Sequence, residues 1–382
     1  MASGKSSKPV PVRPAVEDIS ALTDVYFSKS RAAVEKFGDM TVTYGVFMRR
    51  TVVCAPRLAT DWLRAVAAAR DTAFDIELCV AESHIAEADE AMLYITGSFY
   101  HLVDLETLYL QKLGAACVAA YNASEMCIAL PKASFMAFDA RHCAGADMAE
   151  MMAYAAAVGT ERAQRRADAI GFVGNATDAT AHFFGQEKGL GTMPHALIGY
   201  AGSTVRAAEM LNETFPGEPM TVLIDYYGQE NSDAIVVCQR FPDLAAAGDL
   251  SLRIDTPSGR YAEGLDDAAG RALIERHAPG VLAGVDGETA DYLVGQGTSA
   301  AAVWNLRESL DAAGFENVKI VASSGFGLAK CCAMAAVNAP IDTVGTGSFL
   351  PDNWPETYAT ADIVDYGGQA RVKAGREFLL RR

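Results

Sequence analysis

The chain has 382 residues, of which 51% are apolar and 21% charged, with 48 acidic against 32 basic side chains and a formal net charge of −16. That length suits two domains or one large barrel with additions, and the apolar half supplies a sizeable core. The acidic balance excludes a nucleic-acid coat and an anionic membrane surface, since both need a basic face, but it leaves room for a small anion held by a few arginines and backbone amides in one cleft.

Residues 1–16 read as a flexible arm, polar and proline-rich, without the apolar core of roughly 7–15 residues that a secretory signal requires. Ile19 to Phe37 looks helical, Thr41 to Val46 alternates like a strand, and Ala59 to Phe74 returns to helical spacing. Ala91 to Ile95 is strand-like, and Val103 to Leu113 carries apolar residues at helical spacing. The best membrane candidate, Ala115 to Tyr121, falls far short of the ~18 apolar residues a spanning helix needs. The cysteines (Cys54, Cys79, Cys117, Cys127, Cys143, Cys238, Cys331 and Cys332) form no C-x-x-C pair, so no zinc or other thiolate-bound metal is expected. Most lie in apolar stretches as reduced buried thiols, which points to the cytoplasm.

From about residue 120 the pattern becomes helix followed by short apolar strand. Ala133 to Ala137 leads into Phe138-Asp-Ala-Arg-His142, and Met220 to Ile224 ends at Asp225. Leu250 to Ile254 ends at Asp255, and Val318 to Ala322 ends at Ser323-Ser-Gly325. Ile341 to Val344 ends at Gly345-Thr-Gly347, with a helix around Leu328 to Val337 before it. Thr298-Ser299 could cap a helix that stops at Gly314. Buried parallel strands read as continuous apolar runs, and in a β/α barrel their C-terminal ends form the active-site face. An Asp after one strand is as often a cap or turn residue; several strand ends sharing the pattern favour a site.

Four segments carry chemistry. In Gly191-Thr-Met-Pro-His-Ala-Leu-Ile198, His195 could be a base, a phosphate contact or a phosphoacceptor, or else a capped structural histidine. In Phe138-Asp-Ala-Arg-His142, the aromatic ring could stack on a planar ring while Arg141 binds carboxylate or phosphate, or the two are a core Phe and a surface Arg. In Arg253-Ile-Asp-Thr-Pro-Ser-Gly-Arg260, Arg253 and Asp255 fall on one face of a strand end, suited to a sugar diol beside a phosphate or to a structural ion pair. Ser323-Ser-Gly325 and Gly345-Thr-Gly-Ser348 are glycine loops on late strands, a known phosphate position in barrels, although one such loop alone is usually a turn. Together they suggest a site for a phosphorylated sugar and a flat anionic partner.

In order and wording these motifs, with Thr23-Asp-Val-Tyr-Phe27 before them and Ala361-Asp-Ile-Val-Asp365 through Lys373-Ala-Gly-Arg376 after them, resemble the nicotinate phosphoribosyltransferases. The likeness is closest to their short archaeal-type branch and covers nearly the whole chain after residue 17. The resemblance implies a type II phosphoribosyltransferase fold, an α/β class with an α/β sandwich domain from residues 17–118 and 348–382 packed on an incomplete β/α barrel over 119–347. It implies a cytoplasmic homodimer or higher homo-oligomer with sites at the subunit interface. Its reaction makes nicotinate mononucleotide from nicotinate and phosphoribosyl pyrophosphate with Mg²⁺, in many members coupled to ATP through a phosphorylated histidine.

Carried over, Tyr26 from the neighbouring subunit would lie against one face of the pyridine ring with Phe138 on the other, and Arg141 would face the pyrophosphate or the nicotinate carboxylate. His195 would be the phosphorylatable histidine. Asp225 and Asp255 would hold the ribose hydroxyls and the metal-bound pyrophosphate, with Arg253 beside them. Ser324, Gly325, Gly345, Thr346 and Gly347 would receive the 5′-phosphate. The chain departs from the family pattern at Asp139 (usually Gly), at Tyr226 (usually Thr), at Ser324 (one Gly of the first loop) and in the wording of Gly171-Phe-Val-Gly-Asn-Ala-Thr177. These departures leave two alternatives open: another pyridine base such as quinolinate, or a catalytically reduced nucleotide-binding paralogue.

Overall fold

The computed structural model describes residues 19–352 and 356–380, so the expected arm over residues 1–16 lies outside them. The chain divides into two compact units, one built from both chain ends (through Tyr121 and again from Asn353) and one from Asn122–Asp352.

In the first unit, five antiparallel strands pair in the order Gln369–Ala370, Ala359–Tyr366, Thr41–Met48, Ala91–Ser98, Asp75–Leu78. The central strand, Thr41–Met48, is buried along most of its length and pairs with one neighbour from each end of the sequence. Phe47, Tyr94, Val364 and Leu379 form one core cluster, and the Tyr94 hydroxyl donates to the Leu379 carbonyl at 2.7 Å. The helical stretch expected over Ile19 to Phe37 is two helices, Ile19–Leu22 and Val25–Phe37, because Asp24 between them is extended (φ −60°, ψ 133°). The helix expected to reach Phe74 is Arg57–Ala69, since Asp71 turns left-handed (φ 50°). Val103–Leu105 forms a 3-10 turn that leads into the helix Glu106–Ala129. Among the described residues no helix is long and apolar enough to cross a membrane.

In the second unit the strands are β1 (Ser134–Ala137), β2 (Gly171–Asn175), β3 (Met220–Leu223), β4 (Leu250–Ile254), β5 (Lys319–Ala322) and β6 (Thr343–Thr346). They pair in the order β2-β1-β6-β5-β4-β3, parallel throughout, with helices between them in sequence. This is an incomplete β/α barrel, six strands where a closed one has about eight. The gap between the edge strands is spanned by an irregular segment. The Leu190 amide donates to the Asn175 carbonyl of β2 at 2.7 Å, and the Met193 amide to the Thr221 carbonyl of β3 at 3.4 Å. Leu190 fits there because residue 174 is glycine; a Cβ on Gly174 would run into its side chain.

The Ser299 hydroxyl caps the helix Ala300–Ala312 by accepting from the Ala302 amide at 3.3 Å, and the chain turns at Gly314 (φ 81°). The final barrel strand corrects the expected Ile341 to Val344. The Asp342 carboxylate, not a backbone carbonyl, takes the Ile320 amide at 2.8 Å, so β6 begins at Thr343 and includes Gly345 and Thr346. All eight cysteines are free: Cys54, Cys117, Cys127, Cys238 and Cys331 are buried, Cys143 is partly so, and Cys79 and Cys332 are exposed.

Candidate active site

Strand β4 sets the centre. Leu250, Leu252 and Ile254 are buried in alternation, which turns Arg253 to the opposite side, where Asp255 joins it one step past the strand. Arg253 donates from Nη2 to the Asp255 carboxylate at 3.1 Å, from Nε to the Ser323 hydroxyl at 2.8 Å and from Nη1 to the Thr192 hydroxyl at 2.8 Å. The Ser323 hydroxyl in turn donates to Asp255 Oδ1 at 2.7 Å. Two strand ends and the gap-spanning segment are thus tied to one guanidinium. Burial pulls the Arg253 pKa down, while the Asp255 and Asp225 carboxylates hold it up and Arg141 adds like-charge repulsion.

The Phe138 ring lies 4.8 Å from the Arg253 guanidinium carbon, a cation–π contact. Room for the ring comes from β6, where a Cβ on Gly345 would run into it; a Cβ on Gly347 would lie 2.8 Å from the Phe138 carbonyl. Arg141 sits in the 3-10 turn Asp139–His142, exposed, with Nε 3.4 Å from His142 Nε2. The guanidinium over Phe138 is therefore that of Arg253.

His195 is the first residue of the helix His195–Ala201, where Pro194 provides no side-chain cap. Its Nε2 is bonded to Asp225, 3.1 Å from each carboxylate oxygen, so its partner is a residue just past strand β3 and not a group of its own helix. Burial raises the Asp225 pKa; the His195 hydrogen bond and charge oppose the rise, and the Asp255 charge adds to it. Behind Asp225, Arg260 donates from Nη2 to the Asp225 carbonyl at 2.8 Å and pairs through Nη1 with Glu230 at 2.6 Å. Glu230 is 1% exposed and also accepts from the Thr256 hydroxyl at 2.8 Å and the Glu263 amide at 2.9 Å. Tyr226 packs its hydroxyl over Gly199, with its ring centroid 6.3 Å from that of His195.

The two glycine loops differ. Ser324 (φ 82°) and Gly325 (φ 65°) are both left-handed, so the first is a true turn. The second is corrected: Gly345 and Thr346 belong to β6, neither Gly345 nor Gly347 has a positive φ, and both are glycine for want of space. The Thr346 side chain is buried and donates to the Phe326 carbonyl at 2.8 Å, which commits it to holding the first loop. Lys330, on the helix Leu328–Ala336, donates to the Ser324 carbonyl at 2.6 Å.

Asp139, the departure beside Phe138, is buried, and the Cys143 thiol lies 3.3 Å from its backbone carbonyl and 3.7 Å from its carboxylate. Burial pushes its pKa up to about 6. Tyr26 belongs to the other unit; it is exposed on the helix Val25–Phe37, with its hydroxyl donating to Asp24 at 3.0 Å. Lys330 and Glu230 escape motif reading, and Arg260 closes the Arg253 segment without a role read for it. The one signal for Lys330 is its position as a lone charge in Leu328-Ala-Lys-Cys-Cys-Ala-Met-Ala-Ala336.

Neither a protein-family model nor a curated protein sequence matches the chain. Solved structures do. The nicotinate-nucleotide pyrophosphorylase of Pyrococcus furiosus is 23% identical with a TM-score of 0.69, over 94% of this chain and 80% of that one. Human nicotinic acid phosphoribosyltransferase is 15% identical with a TM-score of 0.55, over 91% and 75%. The nicotinate-nucleotide pyrophosphorylase of Ehrlichia chaffeensis is 10% identical with a TM-score of 0.54, over 92% and 96%. At these identities the likeness is one of fold, and the fold is the barrel and sandwich expected from the sequence.

Proposed function

We propose that the protein is a phosphoribosyltransferase that makes nicotinate mononucleotide from nicotinate and phosphoribosyl pyrophosphate. One observation carries the reading: Arg253 is joined to Asp255, Ser323 and Thr192 and lies over the Phe138 ring, at the C-terminal ends of parallel strands. A flat anion, a sugar diol and a phosphate need an aromatic wall, a carboxylate and a guanidinium within one reach of each other.

In this reading the pyridine nitrogen bonds to the anomeric carbon as the carbon–oxygen bond to pyrophosphate breaks, and pyrophosphate leaves with the electron pair. Positive charge builds on the ribose ring, and the Asp255 and Asp225 carboxylates stabilise it. Arg253, with Arg141 beside it, stabilises the leaving oxygens. Phe138 walls the base so that its nitrogen meets the anomeric carbon, a positioning effect. Among the described residues no group of three or more His, Cys, Asp or Glu is arranged to hold a metal ion. Mg²⁺ is commonly bound by one or two carboxylates plus substrate phosphates; Asp225 and Asp255 would supply the carboxylates, and the ion would neutralise charge on the pyrophosphate. Coupling to ATP would run through His195, whose Nε2 is held by Asp225, which would leave Nδ1 as the phosphoryl acceptor.

The test is pyrophosphate release by purified protein given phosphoribosyl pyrophosphate, Mg²⁺ and a panel of pyridine acids and amides, with and without ATP. Release with nicotinate supports the reading. Release only with quinolinate or nicotinamide reassigns the base, and no release with any base overturns the enzyme reading in favour of a nucleotide-binding paralogue.

A further inference from the structure

Lys330 is the sole charge on an otherwise apolar nine-residue helix, and it is 7% exposed. Among the described residues it has no carboxylate within ion-pair distance. Its ammonium instead donates to the Ser324 carbonyl at 2.6 Å and lies 4.6 Å from the centre of the Phe326 ring. A buried cation left without an ion pair is costly, so its retention calls for a reason.

The turn it touches is one-sided. The carbonyls of Ser324 and Phe326 are tied to protein donors, Lys330 Nζ and Thr346 Oγ1 at 2.8 Å. The amides of Ser324, Gly325, Phe326 and Gly327 find no acceptor among the described residues. The residue before them, Ser323, is bonded to both Arg253 and Asp255. A turn whose acceptors are bound and whose donors are free, at a helix start and with a cation beneath it, is built to receive an anion.

We propose that Lys330 is a positioning residue: by holding the Ser324 carbonyl it keeps the amides of Ser324 to Gly327 turned toward the 5′-phosphate of the ribosyl substrate. This rests on the phosphoribosyl reading above. Lys330 itself need not touch the phosphate. Its ammonium fixes the peptide plane between Ser324 and Gly325, two successive left-handed residues (φ 82° and φ 65°) of which the first is not glycine. Burial lowers the Lys330 pKa to about 8, consistent with an amine held by a carbonyl rather than a carboxylate.

The experiment measures ribose 5-phosphate binding by calorimetry and the separate KM values for phosphoribosyl pyrophosphate and nicotinate. Lys330→Met is expected to weaken ribose 5-phosphate about tenfold or more, the usual worth of a hydrogen bond to a charged group, and to raise the KM for phosphoribosyl pyrophosphate while that for nicotinate holds. Thr346→Val, which frees the other carbonyl, is expected to move the same two values in the same direction, and Lys330→Arg to restore part of the loss; these two variants carry the test if Lys330→Met does not fold. Ribose 5-phosphate affinity unchanged in Lys330→Met, or equal losses for ribose 5-phosphate and nicotinate, overturns the proposal while leaving the phosphoribosyl reading intact. Wild-type protein that binds no ribose 5-phosphate overturns both.

Discussion

His195 Nε2 lies 3.1 Å from both carboxylate oxygens of Asp225, so the imidazole is held by a carboxylate that is itself 5% exposed. Such a partner orients a ring that otherwise starts an uncapped helix. Asp255 has other hydrogen-bond partners, Arg253 and Ser323, although its charge acts on Asp225.

His195 is therefore tied to Asp225 alone, and its role separates from that of Asp255. His195→Ala is expected to remove ATP stimulation and leave most of the basal rate. Asp255→Ala removes charge from the reacting centre and is expected to cost about 10²–10³ in turnover, the range for losing one electrostatic contact to a transition state. Steady-state rates with and without ATP check both, and equal loss of basal rate in the two variants contradicts the division.

Gly345→Ala places a methyl group against the Phe138 ring, which carries the Arg253 guanidinium on it. The ring must shift, and with it the wall of the base pocket. A misplacement of about 1 Å can cost about 10²-fold, so kcat/KM for the base is expected to fall toward that extent. Combining the change with Phe138→Leu removes the obstacle, and the cost of Gly345→Ala is expected to shrink in that background. A double-mutant cycle on kcat/KM reads the coupling; additive losses show that the ring is not what the methyl displaces.

Much of this site is legible in the sequence because β4 alternates cleanly. Leu250-Ser-Leu-Arg-Ile254 places Arg253 and Asp255 on one face, and the structure bonds them. Their link to Phe138 is not legible, since it depends on β6 lying between β1 and β5, an order that no local spacing encodes. The Leu190 to Met193 segment bonds to two strands without an apolar run or an alternation of its own. Thr346 looks like a phosphate-loop residue until the register of β6 places its side chain inside. Lys330 is visible as an odd charge, but what it holds is a backbone carbonyl of a turn, and a turn's conformation is not written in the helix that follows it.

Arg260 ties two loops: it pairs with the 1% exposed Glu230 and donates to the Asp225 carbonyl. Arg260→Ala leaves Glu230 with only the Thr256 hydroxyl and the Glu263 amide. Removing one partner of a buried pair typically costs about 3–5 kcal/mol, and with Arg260 itself partly exposed a loss of about 2–3 kcal/mol is expected. Arg260→Ala with Glu230→Gln removes the orphaned charge and is expected to recover much of it. Thermal unfolding of the two variants checks the sum; the same Tm for both shows that Glu230 is not left uncompensated.

Asp139 carries the clearest pH dependence. Burial pushes its pKa from an ordinary 3.8 up to about 6, so between those values the folded protein binds more protons than the unfolded chain. Stability from this residue is then highest below the unfolded value and falls as pH rises toward 6, by about 3 kcal/mol at most for a rise of this size. Above that window the folded protein holds a buried carboxylate supported by its own backbone amide and the Cys143 thiol, with burial outweighing both. Asp139→Asn keeps the shape and an acceptor for that thiol but cannot ionise. Its Tm is expected to exceed that of the wild type at pH 8 and to match it near pH 4. A gain of equal size at both pH values would mean that ionisation of Asp139 does not govern the difference.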